Sequence, residues 1–241
     1  MTLNLKGKSA LVTGGARGIG RAIVEMLLSA GASVAFCGVR EESVRQAHDE
    51  LRAKFPDSTL KLVTATADVS SKDAVHRLFE TVDRELGGLD ILINNAGIGR
   101  FADLASLAPE DWRALMGTNL DGVYYCIHEA LPRFRARGGG WIINIASLAG
   151  KNPFAGGAAY NASKFGLCGL SEAVMLDHRY ENVRVSAVLP GSVSTDFSRG
   201  GLADWKIQPE DVAGAVAMIL AMPERTLISH VEIRPAKPPK K

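Results

Sequence analysis

Short runs of apolar residues alternate with longer segments of helical periodicity from one end of the chain to the other. The apolar runs cover residues 9–13, 33–37, 61–64, 90–94, 141–146, 184–189 and 229–233. Helical patterns lie between them, over 21–30, 42–55, 73–86, 112–137, 159–180 and 209–221. Runs that are apolar throughout belong to strands buried on both faces. Helices of this length between such strands make right-handed β-α-β crossovers and a parallel sheet. The pattern predicts an α/β fold: a doubly wound, parallel, seven-stranded sheet in a single domain over 1–241, with no repeat or composition shift to mark a boundary.

A sheet of this Rossmann type places ligands beyond the carboxyl ends of its strands. Chemistry is therefore expected just after Thr13, Cys37, Asn94, Ala146 and Leu189. Composition narrows the rest. At 241 residues and 46% hydrophobic content the chain can bury a large core, which excludes global disorder. The formal charge is +2 and the basic residues are scattered, so no nucleic-acid partner is expected. One basic cluster closes the chain, and residues from about 235 to 241 read as a flexible basic tail. Cys37, Cys126 and Cys168 are widely spaced in apolar surroundings, as reduced packing residues of a cytosolic protein are. The histidines stand singly, so no metal site is expected. Without a signal-like start or an apolar run of spanning length, the expectation is a cytoplasmic protein with no membrane partner.

After the first apolar run comes Thr-Gly-Gly-Ala-Arg-Gly-Ile-Gly, Thr13 to Gly20, leading straight into a helix. Gly14, Gly18 and Gly20 permit a sharp turn and the approach of a pyrophosphate to the positive end of that helix. Further on, Tyr160 and Lys164 stand four apart in a helical segment and share a face. An ammonium beside a phenol favours the phenolate and brings tyrosine within range of acid–base work. Ser147, at the end of the fifth run, can donate to an oxygen that gains negative charge. Taken singly, each feature also fits a bland reading: a Gly-rich turn, a solvated helix face, a capping serine.

Taken together, Thr-Gly-x3-Gly-Ile-Gly at Thr13–Gly20, Asn-Asn-Ala-Gly at Asn94–Gly97, Tyr-x3-Lys at Tyr160–Lys164 and Pro190-Gly191 resemble the short-chain dehydrogenase/reductase family, over roughly residues 6 to 234. The resemblance implies an oxidoreductase that moves a hydride between a nicotinamide cofactor and a carbonyl or alcohol carbon. By it, Tyr160 is the acid and base, Ser147 orients the substrate oxygen, Lys164 grips the nicotinamide ribose and tunes Tyr160, and Asn119 holds a water for proton relay. The same resemblance gives the cofactor Gly14, Arg17, Gly18, Ile19 and Gly20 at the phosphates, with Asp68 and Val69 at the adenine. Asn95, Ala96 and Gly97 fall along the adenosine ribose, and Pro190, Gly191, Val193 and Thr195 around the nicotinamide. It also implies a homodimer through 112–137 and 159–180 or a homotetramer, although the C-terminus lacks the family's usual Gly-Gly ending.

An acidic residue ending the second strand selects NAD. Here Gly38 takes that place, followed by Val39 and Arg40, and Arg17 precedes the second motif glycine as in NADP-preferring relatives. NADP(H) is the favoured cofactor and NAD(H) the alternative. Two rival functions stand beside the general reductase. One is a 3-oxoacyl-carrier-protein reductase, which Leu176 disfavours because that branch carries arginine there, with Arg179 a weak substitute. The other is a non-catalytic dinucleotide-binding sensor. Only residues 197–207 separate Asp196 from the next helix, too few for a closing lid, so an open, apolar site with weak discrimination is expected. Phe101, Phe154 and Trp205 are its candidate walls.

Overall fold

Seven strands form one sheet: β1 (Ser9–Thr13), β2 (Ser33–Gly38), β3 (Leu62–Thr66), β4 (Ile91–Asn94), β5 (Gly140–Ile145), β6 (Val183–Pro190) and β7 (His230–Ile233). The computed structural model describes residues 3–57, 59–197 and 202–239. All strands pair in parallel, in the order β3-β2-β1-β4-β5-β6-β7. The order reverses between β1 and β4, and a crevice opens at such a switch point. The doubly wound, seven-stranded α/β fold is the one the apolar runs predict.

The helices are α1 (Gly18–Ser29), α2 (Glu41–Lys54), α3 (Lys72–Leu86), α4 (Pro109–Met116), α5 (Gly122–Arg137), α6 (Ala158–His178) and α7 (Pro209–Leu220). Period-two alternation sorts each strand between two layers. Ala10 and Val12 pack with Ile23, Leu27, Val212 and Val216 from α1 and α7 on one face. Leu11, between them, packs with Phe79, Ile127 and Phe134 from α3 and α5 on the other. β3 runs two residues past the expected end, to an exposed Thr66. As an edge strand paired with β2 alone, it can use polar threonines.

One expected element divides. The pattern over 112–137 reads as a single helix, whereas α4 starts at Pro109 and is joined to α5 by a π-helical turn, Gly117–Asp121. Proline at the first helical position, followed by Glu110 and Asp111, is the start signal. The widened turn has a tertiary cause. It brings Asn119, fully buried, against the backbone of Ile98 after β4. Such turns inside helices often mark functional positions. No helix among the described residues is long and apolar enough to cross a membrane.

Candidate active site

A single cleft of about 1760 Å³ follows the carboxyl ends of the strands. Pockets for one drug-sized ligand run to about 1,000 Å³, so the cleft has room for a dinucleotide and a second molecule. Every site residue singled out in the sequence lines it, save Gly20 and Asn119, which stand directly behind its wall.

At one end is the β1–α1 loop. Gly14 and Gly18 have φ of +66° and +54°, a conformation that disfavours other residues. A Cβ on Gly20 would overlap the Gly14 carbonyl oxygen, so the loop closes this tightly only around glycine. No side chain caps the N-terminus of α1 and no acid lies in its first turn. By contrast α3 is capped by Ser71, and α7 by a reciprocal pair of Gln208 and Asp211. The N–H donors and positive end of α1 are thus left for an anion in the cleft, and a Cβ on Gly18 would project to within 3.3 Å of Thr195 Cγ2 on the opposite wall. These features fit a pyrophosphate-bearing cofactor.

Thr13 is the hub behind the loop, and the sequence reading passed it over. Its hydroxyl accepts the N–H groups of Asn95 and Ala96, each at 3.0 Å, and donates to the Ile93 carbonyl at 3.4 Å. The Asn95 amide donates to the carbonyls of Thr13 and Gly14, both at 3.0 Å. The Asn95 side chain therefore braces the glycine loop, while its backbone faces the cleft with Ala96 and Gly97. Asn94 ties β4 to β5 through Asn144 at 2.8 Å. Asp68 is exposed and uses one carboxylate oxygen to accept both donors of Ser70, at 2.9 and 2.8 Å; Val69 is buried against α5. Arg17 and Arg40 are exposed on the rim, and Arg17 leans toward Asp196 at 3.7 Å. Such a solvated ion pair is worth little and yields readily to a better anion.

At the middle of the cleft α6 presents Tyr160 and Lys164. Tyr160 is 8% exposed and Lys164 5%. The Lys164 ammonium donates to the Ile145 carbonyl at 3.0 Å and lies 5.9 Å from the Tyr160 ring centroid. Ser147, at the end of β5, accepts the Ala149 N–H at 3.1 Å, and its hydroxyl is hydrogen-bonded to Tyr160. Asn119 approaches from behind: its amide donates to Ile98 at 3.0 Å and Ser163 at 3.2 Å, and its oxygen accepts the Ile98 N–H at 2.9 Å. Ser163 donates to the Tyr160 carbonyl at 2.8 Å and packs within the helix layer. Asn119 Oδ1 and Lys164 Nζ converge on Gly97, 3.3 and 3.9 Å from where a Cβ there would sit.

Electrostatics differ from the simple expectation of a lowered phenol. Burial pushes Tyr160 above its ordinary value, opposed only by the hydrogen bond with Ser147. Burial also depresses Lys164 to about 8. Desolvation is the leading cause for both groups, each buried in the wall of the cleft.

The far end of the cleft is apolar. The rings of Phe101, Phe197 and Phe154 lie 5.4, 6.1 and 6.4 Å from that of Tyr160. Asn161, beside Tyr160 and missed in the sequence, donates to the Phe154 carbonyl at 2.9 Å and pins that wall in place. The Gly200-Gly201 pair of the expected short lid lies outside the described residues. The lid's later part folds back at once: Ile207 bridges Val193, and Ser194 donates to Ile207 at 2.8 Å. Trp205 lies on the rim of the cleft.

This fold and site define a nicotinamide-dependent oxidoreductase. Residues 8–204 match the short chain dehydrogenase family, and the chain belongs to it: an enzyme acting between CH–OH and C=O. The chain is 35% identical over 197 residues to a 3α-hydroxysteroid dehydrogenase of Mediterraneibacter gnavus, covering 82% of this chain and 78% of that one. It is 36% identical over 197 residues to a 3-oxoacyl-acyl-carrier-protein reductase of Chlamydia muridarum, covering 81% and 78%. A metagenomic short-chain oxidoreductase solved in complex with NADP is 38% identical, with a TM-score of 0.84 over 97% of this chain and 99% of that one.

Proposed function

We propose that the protein reduces apolar ketones and aldehydes with NADPH, using Tyr160 as the proton donor. The observation that carries this reading is the convergence of Ser147, Tyr160 and Lys164 beside an aromatic wall, one cleft away from an uncapped helix N-terminus. A bound nicotinamide supplies the hydride, or takes it up in alcohol oxidation. Ser147, held at the end of β5 by the Ala149 N–H and already hydrogen-bonded to Tyr160, turns its donor to the substrate oxygen as charge develops there. Tyr160 gives its proton to the same oxygen. Its raised phenol stays protonated through the neutral range, which suits the reductive direction. Lys164 holds the ribose and stabilises Tyr160 after proton loss, and Asn119 anchors the π-turn behind them, where the family resemblance gives it a water for proton relay.

The N–H groups of α1 hold the pyrophosphate, with Arg17 and Arg40 at the 2′-phosphate and Asp68 and Val69 at the adenine. Gly38, small and neutral at the end of β2, offers no carboxylate to a ribose 2′-hydroxyl. The NADP complex of the metagenomic neighbour supports the same choice. The carrier-protein reductase reading gains nothing from the site, since Leu176 is exposed and uncharged. Like others of its family, the chain is proposed to work as a homodimer or homotetramer. Steady-state kinetics with both cofactors against a panel of carbonyls is the test. Higher kcat/KM with NADPH is expected, and Arg17→Ala should narrow the preference by about tenfold, the worth of one charge-assisted hydrogen bond. Equal or better efficiency with NADH contradicts the cofactor assignment.

A further inference from the structure

Beyond β7 the chain, expected from its sequence to be a flexible tail, stays on the molecule and lines the cleft up to Pro239. Arg234, Pro235, Pro238 and Pro239 all line it. Pro235 closes over the turn after β6, its Cδ 3.2 Å from where a Cβ on Gly191 would sit, and Leu148 Cδ1 meets the same point at 3.1 Å. Leu148 adjoins Ser147, so the tail passes next to the reacting centre. One carboxylate fastens its root: Glu232 accepts from Arg234 at 2.8 Å and from Lys151 at 3.0 Å. Lys151 begins the loop that carries Phe154, so tail and aromatic wall are tied together. The chain bends at Ala236 and Lys237, and the fixed φ of the prolines at 235, 238 and 239 on either side lets the segment present apolar rings at little ordering cost.

We propose that residues 235–239 are a substrate-contacting wall of the active site that selects ring-bearing apolar ketones over small ones. The wall takes the part that the short segment between Asp196 and Pro209 is too small to play. Glu232 is the positioning residue that holds it. The inference rests on the carbonyl-reductase reading above and names the substrate class of that same site.

The test compares α-tetralone with butanone, both with NADPH. The variants are a chain ending at Ile233 and, in case truncation unsettles β7, the full-length double variant Pro238→Gly/Pro239→Gly. The preference in kcat/KM for tetralone over butanone should fall by about tenfold, the low end of apolar-pocket discrimination, through a higher KM for tetralone. Glu232→Gln should give the same split at smaller amplitude, partly restored in Glu232→Asp, while NADPH affinity by fluorescence titration stays as in the wild type. An equal loss on both ketones would assign the tail to the scaffold and overturn the proposal, as would unchanged preference in the truncated chain. Failure of the underlying reading looks different: the wild-type protein itself would reduce neither ketone.

Discussion

The two ends of the cleft are held by different means. At the cofactor end, backbone meets backbone: the β1–α1 loop closes on itself at Gly14 and Gly20, and Thr13 and Asn95 bind it through main-chain groups. At the substrate end, side chains on loops do the work. Phe101, Phe154 and Phe197 surround Tyr160, Asn161 pins one loop, and a proline-rich tail lies along the edge. The first arrangement tolerates almost no change and suits a ligand that is the same for many enzymes. The second can vary residue by residue while the sheet stays fixed, which is how one fold serves many substrates.

The sharpest way to break this contrast is Gly20→Ala. The added methyl overlaps the Gly14 carbonyl oxygen, and the loop must move. A misplacement of about 1 Å costs on the order of 100-fold in rate, so kcat/KM should fall at least that far, with a matching loss in NADPH titration. Near-normal cofactor binding would show that the loop is not the rigid element described.

Lys164 sits where the two ends meet, and its burial has a consequence for stability. Its ammonium is harder to keep in the folded protein than in the unfolded chain, so folding depresses its pKa from 10.5 to about 8. Between those values the unfolded chain binds more protons, and stability from this group rises with pH. Relative to Lys164→Met, the wild type should gain up to about 3 kcal/mol between pH 8 and pH 10.5, and the difference should be flat below pH 8. Denaturant unfolding of both proteins across that range measures it. A difference that shrinks or stays level contradicts the buried ammonium.

The smallest effect belongs to the substrate wall. Asn161→Ala removes one hydrogen bond to the Phe154 carbonyl, worth about 1 kcal/mol. It should raise KM for an apolar ketone about fivefold with kcat nearly unchanged. A fall in kcat with constant KM would place Asn161 in the chemical step instead.

The same contrast governs what the chain reveals without its structure. Apolar runs report strands directly, because a parallel sheet buries both faces. Glycines at fixed spacing report a loop, because only a residue without a Cβ fits there. Tyr160 and Lys164 are legible because a helix converts spacing into proximity. The π-turn at Gly117–Asp121 is not, since its cause is the backbone of Ile98, distant in sequence from Asn119. Thr13 reads as an ordinary strand residue until β4 is placed beside it. Asn161 is hidden by its neighbour in the motif, and the path of residues 234–239 depends on Gly191 and Leu148, distant in sequence from Pro235. Local rules make the glycine loop legible. Long-range contacts build the substrate end.

In the proposed mechanism both ends serve one proton transfer, and Tyr160→Phe tests it most directly. The substitution removes a single oxygen from a ring held by Phe101, Phe154 and Phe197, so the fold and the cofactor cradle should survive. Carbonyl-dependent oxidation of NADPH, followed by absorbance alongside a fluorescence titration of NADPH, gives the answer in one experiment. Turnover should fall by at least about 100-fold, the low end of a general acid's contribution, with cofactor affinity kept within a few-fold of wild type. Turnover close to wild type in that variant would take Tyr160 out of the mechanism and the account with it.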